Sequence, residues 1–371
     1  MPSLMRILYV LNSLAMGGTE RQVIAIAERM AARGHAVALL VLLPREAGDC
    51  STDLEVVHLE LQKNPSSVIA GVRRGAGFAR YFRPDVIHSH NFHGNMLARW
   101  MRLTNRGPRL ISTIHNVYEG GSLRMLAYRL SDFLVTRVTA VSTAVAERYV
   151  RLGAVAKSKI RVVTNGVEAT KFVPDTQRRT AVRQQMGIAD EFVWLSVGRI
   201  TAAKDIPNLL QAFGRVWELA ENTRLWIAGG PPPAVSREST YSALTTPHGA
   251  TDRVAWLGLR RDIPALLDAA DGFVLSSAWE GMPLALGEAM AMEKPVVATD
   301  VGGVRELVAD TGVAVAARDS RALAAAMLDV MRRPPEQRRA MGSAARERIW
   351  EKFDVDVKAD EWEAMYQSVV E

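Results

Sequence analysis

Cysteine is almost missing: Cys50 stands alone in 371 residues. A single thiol excludes an internal disulfide and a Cys-x-x-Cys redox or zinc pair, and it fits a reducing cytoplasm. Long hydrophobic runs are also lacking, since none reaches the ~18 residues needed to cross a bilayer. Near the start, Arg6 followed by ILYVLNSLAM could be misread as a short secretion signal. Asn12 interrupts that run and Gly17-Gly18 then opens an amphipathic helix, so a first buried strand is the better reading. The chain carries no G-x-G-x-x-G, no P-loop and no Ser-His-Asp order, which leaves no nicotinamide fingerprint and no sign of a covalent enzyme nucleophile.

What is present describes an ordinary globular protein, with 48% apolar and 23% charged residues. Its length exceeds one comfortable core and predicts two domains. The net charge of +6 is uneven. Residues 1–175 hold 23 Lys and Arg against 13 Asp and Glu, whereas the remainder holds 23 against 27. Between Arg73 and Arg109 eight arginines face only Asp85. Such a stretch is either a solvated arginine-rich surface or a basic face for anionic lipid or a pyrophosphate-carrying acceptor. Nucleic acid is not expected, because no stacking aromatics accompany the arginines.

Strands and helices alternate from the beginning. Strands are predicted at 7–12, 36–43, 55–60, 85–90, 109–115, 138–142 and 160–167. Helices fall at 19–34, 66–82, 93–102 and 143–152. A polar segment, 168–187, separates the halves. The pattern then restarts with strands at 192–198, 224–229, 253–258, 273–275, 296–299 and 313–316. Continuous apolar strands in this βαβα order predict an α/β protein with two doubly wound, Rossmann-like parallel sheets. Domain limits are expected at 1–173 and 174–352, with a terminal helix over 353–371. Ligands on such sheets gather at the carboxyl ends of the strands.

The most informative stretch is DGFVLSSAWEGMPLALGEAMAMEKPVVATDVGG, Asp271 to Gly303. A strand leads through a sharp loop into a helix expected to start at Pro283, since proline suits a first helical position. Glu280 lies in the loop and Glu288 on the second turn. The N–H groups of Gly281, Met282, Leu284 and Ala285 face the same spot, where the helix dipole favours an anion. A phosphate between two hydroxyl-bearing sugars would suit that arrangement. The frame S-x-x-E-G-x-P-L-x-x-x-E-A-M-x-x-x-K-P-V-V-A-T-D-x-G-G resembles the signature of the GT4 family of retaining glycosyltransferases.

The resemblance implies the GT-B fold: two domains facing across a cleft, with the terminal helix crossing back onto the first. It implies that Glu280 holds donor-sugar hydroxyls and Glu288 the ribose diol. Arg199 and Lys204, in GRITAAKD after a strand, are similar to the family's G-R-x-x-x-x-K-G motif and would clamp the diphosphate; Asp205 replaces the usual glycine. His115, in a T-x-H-N stretch, would lie against the donor sugar. Gly17 and Gly18 would approach the donor diphosphate or the acceptor. Gly229 and Leu257 would lie at the base, beside the Pro231-Pro232-Pro233 run. His88 and His90 are read as structural or acceptor-facing, since two histidines without a third ligand make a weak metal site, and no metal cofactor is expected. The implied reaction is front-face transfer of a hexose from a nucleotide-diphosphate sugar, UDP-sugar favoured, to a glycan or lipid-linked acceptor in cell-surface polysaccharide synthesis. The basic first domain suggests peripheral contact with the inner face of the plasma membrane. A nucleotide-sugar epimerase of the same fold, or an inactive nucleotide-sugar binder, are the alternatives.

Overall fold

The computed structural model describes residues 4–46, 48–231, 236, 240 and 251–371. They divide into two compact units, one of Met1–Gly166 with Val355–Glu371, the other of Val167–Asp354. The first holds a seven-stranded sheet: β1 (Arg6–Leu11), β2 (Ala36–Val41), β3 (Glu55–His58), β4 (Val86–His90), β5 (Arg109–Ile114), β6 (Arg137–Ala140) and β7 (Ile160–Val162). All pairs are parallel, in the order β3-β2-β1-β4-β5-β6-β7. The order reverses between β1 and β4, which opens a crevice beyond their carboxyl ends.

Strand β1 is buried along all but its first residue, as a strand covered on both faces requires. Ile7, Tyr9 and Leu11 share one face. They pack with Val23, Ile26 and Met30 of the helix Gly18–Ala32 and with Trp362, Tyr366 and Val369 of the last helix, Val355–Val370. Burying each of those larger side chains contributes roughly 1.5–3 kcal/mol. Charge pairs fix the register of the two helices: Arg29–Asp356 at 2.6 Å, Arg33–Glu363 at 2.6 Å and Arg33–Asp360 at 2.7 Å. The terminal helix is thus part of the first unit's core.

The second unit repeats the plan with six strands: β8 (Phe192–Val197), β9 (Thr223–Ala228), β10 (Val254–Gly258), β11 (Gly272–Leu275), β12 (Val296–Thr299) and β13 (Val313–Val315). They are parallel, in the order β10-β9-β8-β11-β12-β13, and the reversal lies between β8 and β11. Its core gathers Leu209, Phe213 and Val216 of the helix Ile206–Leu219 with Leu323 and Met327 of the helix Ser320–Arg332.

The polar segment 168–187 contains a helix, Thr176–Gln185, capped by the Asp175 side chain. That helix has no buried residue and so no apolar stripe to read. Its arginines hold it instead: Arg178 pairs with the buried Asp268, and Arg179 and Arg183 with Asp271 at 2.6 and 3.0 Å. Pro283 is extended (φ −77°, ψ 110°) and caps the helix Leu284–Ala291 rather than beginning it.

Candidate active site

At the second unit's switch point the loops after β8 and β11 are stitched together. Ser276 Oγ donates to the Lys204 carbonyl at 2.8 Å, and the Ala278 N–H to the Ala203 carbonyl at 2.8 Å. Lys204 Nζ then meets Glu280 Oε1 at 2.5 Å, with both side chains largely buried, and Ser277 Oγ donates to the same oxygen at 2.6 Å. A Cβ on Gly198 would come 2.8 Å from Lys204 Cε, so the lysine stem lies over that glycine. Arg199 is exposed on the same loop. The structure therefore brings together two groups that stand 76 residues apart.

Glycines let the neighbouring loops close on this rim. Gly229 (φ +141°) sits where a Cβ would lie 1.9 Å from the Gly198 carbonyl, and its N–H donates to the Gly258 carbonyl at 2.7 Å. Gly302 (φ +57°) leaves 2.2 Å between a hypothetical Cβ and the Glu280 carbonyl, while the Gly303 N–H donates to the Gly281 carbonyl at 2.7 Å. Both positions combine left-handed or strained φ with a backbone contact that any side chain would break. Leu257 falls where β10 slips register against β9. Pro232 and Pro233 lie outside the described residues.

Asp205 adopts φ +47°, the conformation for which glycine is the usual choice, at the cap of the helix Ile206–Leu219. The residue that replaces the usual glycine thus holds a glycine-type backbone conformation. On the other side of Glu280, Gly281, Met282 and Pro283 are buried, and Leu284 and Ala285 are half-buried in the first helical turn. The N–H groups of that turn have no acceptor within the helix. Glu288 is buried on the second turn.

His115, Gly17 and Gly18 belong to the first unit and line its own switch point. Gly17 caps the helix Gly18–Ala32, and a Cβ there would meet Glu20 Oε2 at 2.4 Å. His115 Nε2 and His90 Nδ1 are 3.0 Å apart, so one imidazole donates to the other. His88 is held at both nitrogens, by the Tyr366 hydroxyl at 2.8 Å and by Thr113 Oγ1 at 2.7 Å. That leaves it no lone pair for a metal, and among the described residues no group of three or more His, Cys, Asp or Glu is arranged to hold one. Burial pushes all three imidazoles toward the neutral form, His115 to about 3. Tyr9, Gln22, Thr164, Asn165 and Trp362 complete a small pocket around them. The Gln22 amide nitrogen, His90 Nε2 and Thr164 Oγ1 are buried there without a partner.

Sequence reasoning overlooked Ser277, although it lies inside the signature frame, and it overlooked Glu119. That carboxyl accepts from the Tyr128 hydroxyl at 2.8 Å and from the His115 N–H at 3.2 Å. Burial raises it to about 7. Its place four residues beyond a strand-end histidine was the available signal.

Two Rossmann-like units with this strand order define the GT-B class. Residues 178–348 match the model of glycosyl transferases group 1 and residues 16–171 that of glycosyltransferase family 4. Between them the matches span most of the chain, and the protein belongs to this glycosyltransferase family. It is 28% identical to a glycogen synthase of Mycobacterium tuberculosis, over 92% of this chain and 88% of that one. It is also 28% identical to the Escherichia coli UDP-Gal:alpha-D-GlcNAc-diphosphoundecaprenol alpha-1,3-galactosyltransferase, over 59% of this chain and 58% of that one. Among solved structures, Anabaena Alr3699/HepE in complex with UDP-glucose aligns over 98% of this chain and 99% of its own with a TM-score of 0.84, at 22% identity.

Proposed function

We propose that this glycosyltransferase moves a hexose-type sugar, with retention, from a nucleotide-diphosphate sugar to a glycan or lipid-linked acceptor of cell-surface polysaccharide synthesis. The observation that carries the reading is the Lys204–Glu280 pair, at 2.5 Å and seated where the second sheet reverses its strand order. A carboxylate suits sugar hydroxyls, and an ammonium suits the oxygens of a departing diphosphate. When donor binds, Lys204 exchanges part of its contact with Glu280 for phosphate. Arg199 and the N–H groups around Leu284 add a fork and a helix dipole, and Glu288 takes the ribose diol.

On this reading the enzyme supplies positioning and charge stabilisation, and the leaving phosphate oxygen deprotonates the acceptor. Neutral His115, fixed by His90, donates or accepts a hydrogen bond without repelling positive charge that develops on the sugar. A UDP-sugar is favoured, in line with the donor in the name of the Escherichia coli relative and the ligand of the Anabaena structure.

Donor hydrolysis measured across UDP-, GDP- and ADP-sugars tests the donor class, with turnover of one UDP-sugar expected to exceed the others. Proton NMR of the freshly formed product tests retention. An inverted anomeric centre, or epimer formation from donor alone, would overturn the proposal.

A further inference from the structure

The helix Ser122–Ser131 is amphipathic in the wrong sense for a globular protein. Its buried side holds one residue, Tyr128, whose hydroxyl bonds Glu119 and Asn95. Arg99 reinforces the attachment by donating to the Tyr128 carbonyl at 3.0 Å and to Ser131 Oγ at 2.7 Å. The opposite side is apolar and faces solvent. Leu123 is 81% exposed, Leu126 48%, Leu130 66% and Phe133, on the turn that follows, 75%. At about 100° per residue these four fall within an arc of roughly 80°, nearly opposite Tyr128. Aliphatic and aromatic side chains spaced i, i+3, i+7 and i+10 normally face a core. Here they form a ridge that none of the described residues covers.

The surroundings of the ridge are cationic. Arg129 is exposed between Leu126 and Leu130, and its guanidinium comes within about 4.0 Å of a Cβ built on Gly153. That contact brings in exposed Arg151 and the 46% exposed Leu152. Lys159 reaches across to the Asp132 carbonyl at 2.6 Å and its carboxylate at 3.7 Å, which offsets the one acidic group on the ridge helix and its following turn. Over residues 121–162 the sequence has eight Lys and Arg against Asp132 and Glu147.

We infer that this ridge beds the first unit into the interface of an anionic lipid bilayer. A convex apolar strip of one helix, rimmed by cations, fits a fluid surface that closes around it and carries negative headgroups. It places membrane contact on Leu123–Phe133 rather than on the arginines of 73–109. Of those eight arginines, Arg99 is fully buried, Arg102 is half-buried and Arg74 donates to the Leu59 carbonyl. The others are exposed without a continuous apolar strip beside them on one helix face. The inference deepens the lipid-linked branch of the proposed function and shares no residue with its donor site.

Flotation of the whole protein on phosphatidylcholine vesicles, with and without an equal share of phosphatidylglycerol, is the test. Wild type should float with the anionic vesicles only. Leu126→Glu/Leu130→Glu should lower recovery roughly tenfold or more, and Arg129→Glu/Arg151→Glu several-fold. Circular dichroism melting and donor hydrolysis in solution should stay at wild-type values in both variants. Equal flotation of wild type and the leucine variant would overturn the inference. So would a wild-type dimer in light scattering that the leucine variant abolishes while still floating, because the ridge would then seat a second copy. Donor hydrolysis reports on the catalytic reading separately, so failure of either proposal is recognisable.

Discussion

The two units share one topology and differ in what they place at the point where it reverses. Beyond β8 and β11 lies a charged pair, Lys204 with Glu280, in loops closed by glycines at 198, 229 and 302. Beyond β1 and β4 lies a neutral cluster of imidazoles and hydroxyls, His88, His90, His115, Thr113 and Tyr366, with the last helix as its lid. The same sheet therefore builds two different dielectric situations. In the second unit a cationic and an anionic side chain are paired and hydrogen-bonded; in the first, burial disfavours the charged form of the imidazoles. A charged crevice suits a leaving diphosphate, and a neutral one suits sugar hydroxyls.

The contrast breaks most visibly at the pair itself. Glu280→Ala should lower kcat about 100- to 1,000-fold, since it removes a group whose contact is proposed to tighten at the transition state and strands Lys204. Glu288→Ala, on the neighbouring turn, should mainly raise the donor KM, by about tenfold. Steady-state kinetics with saturating and limiting donor separate the two. Comparable kcat losses in both would mean the carboxylates share one task. Gly302→Ala comes next: φ +57° and the 2.2 Å approach to the Glu280 carbonyl predict a loss of about 2 kcal/mol or more, readable as a lower denaturant midpoint. A variant as stable as wild type would show that the loop has slack the backbone geometry does not suggest.

The neutral cluster is sharpened by pH. His88, His90 and His115 have folded pKa values below the ordinary 6.5, through burial, with His115 near 3. Their contribution is complete above 6.5 and is lost as pH falls through that value toward 3. Glu119 behaves oppositely. Burial raises it from 4.5 to about 7, so its contribution is complete below 4.5 and is lost as pH rises through 7. Three imidazoles outweigh one carboxyl, and the thermal midpoint should drop as pH goes from 7 to 4.5. Glu119→Gln removes the opposing group and should make that drop steeper, while raising the midpoint at pH 8. A shallower acid limb in the variant would mean that Glu119 is ionised in the folded protein at neutral pH.

Much of this was legible beforehand because it is local. Apolar runs such as those of β1 and β8 announce strands buried on both faces, and the frame around Glu280 and Glu288 announces a loop that opens a helix. What escaped was either non-local or carried by polar groups. The contact between Lys204 and Glu280 spans 76 residues, and nothing in either segment alone names its partner. The His90–His115 pair joins the ends of two strands that are neighbours only in the folded sheet. The helix Thr176–Gln185 lacks an apolar stripe because arginine–aspartate pairs replace it, and periodicity cannot register that kind of attachment. The ridge on Ser122–Ser131 has helical periodicity but the reverse burial, which a sequence pattern does not distinguish from a core face.

The smallest expected effect tests the loop that carries Lys204. Asp205 holds φ +47° without a side-chain cap on the helix it precedes, so it bears left-handed strain that its own carboxylate does not relieve. Glycine would remove that strain but widen the conformational range of the unfolded chain, and the two effects largely cancel. Asp205→Gly should therefore shift stability by about 1 kcal/mol or less and leave kcat and donor KM near wild type. Gly302→Ala alters a positive-φ position in the same unit but adds a clash, so the two variants separate backbone conformation from space. If Asp205→Gly cost as much activity as Glu280→Ala, the aspartate carboxylate itself would have to act on the donor, and the charged half of the comparison would hold three groups instead of two.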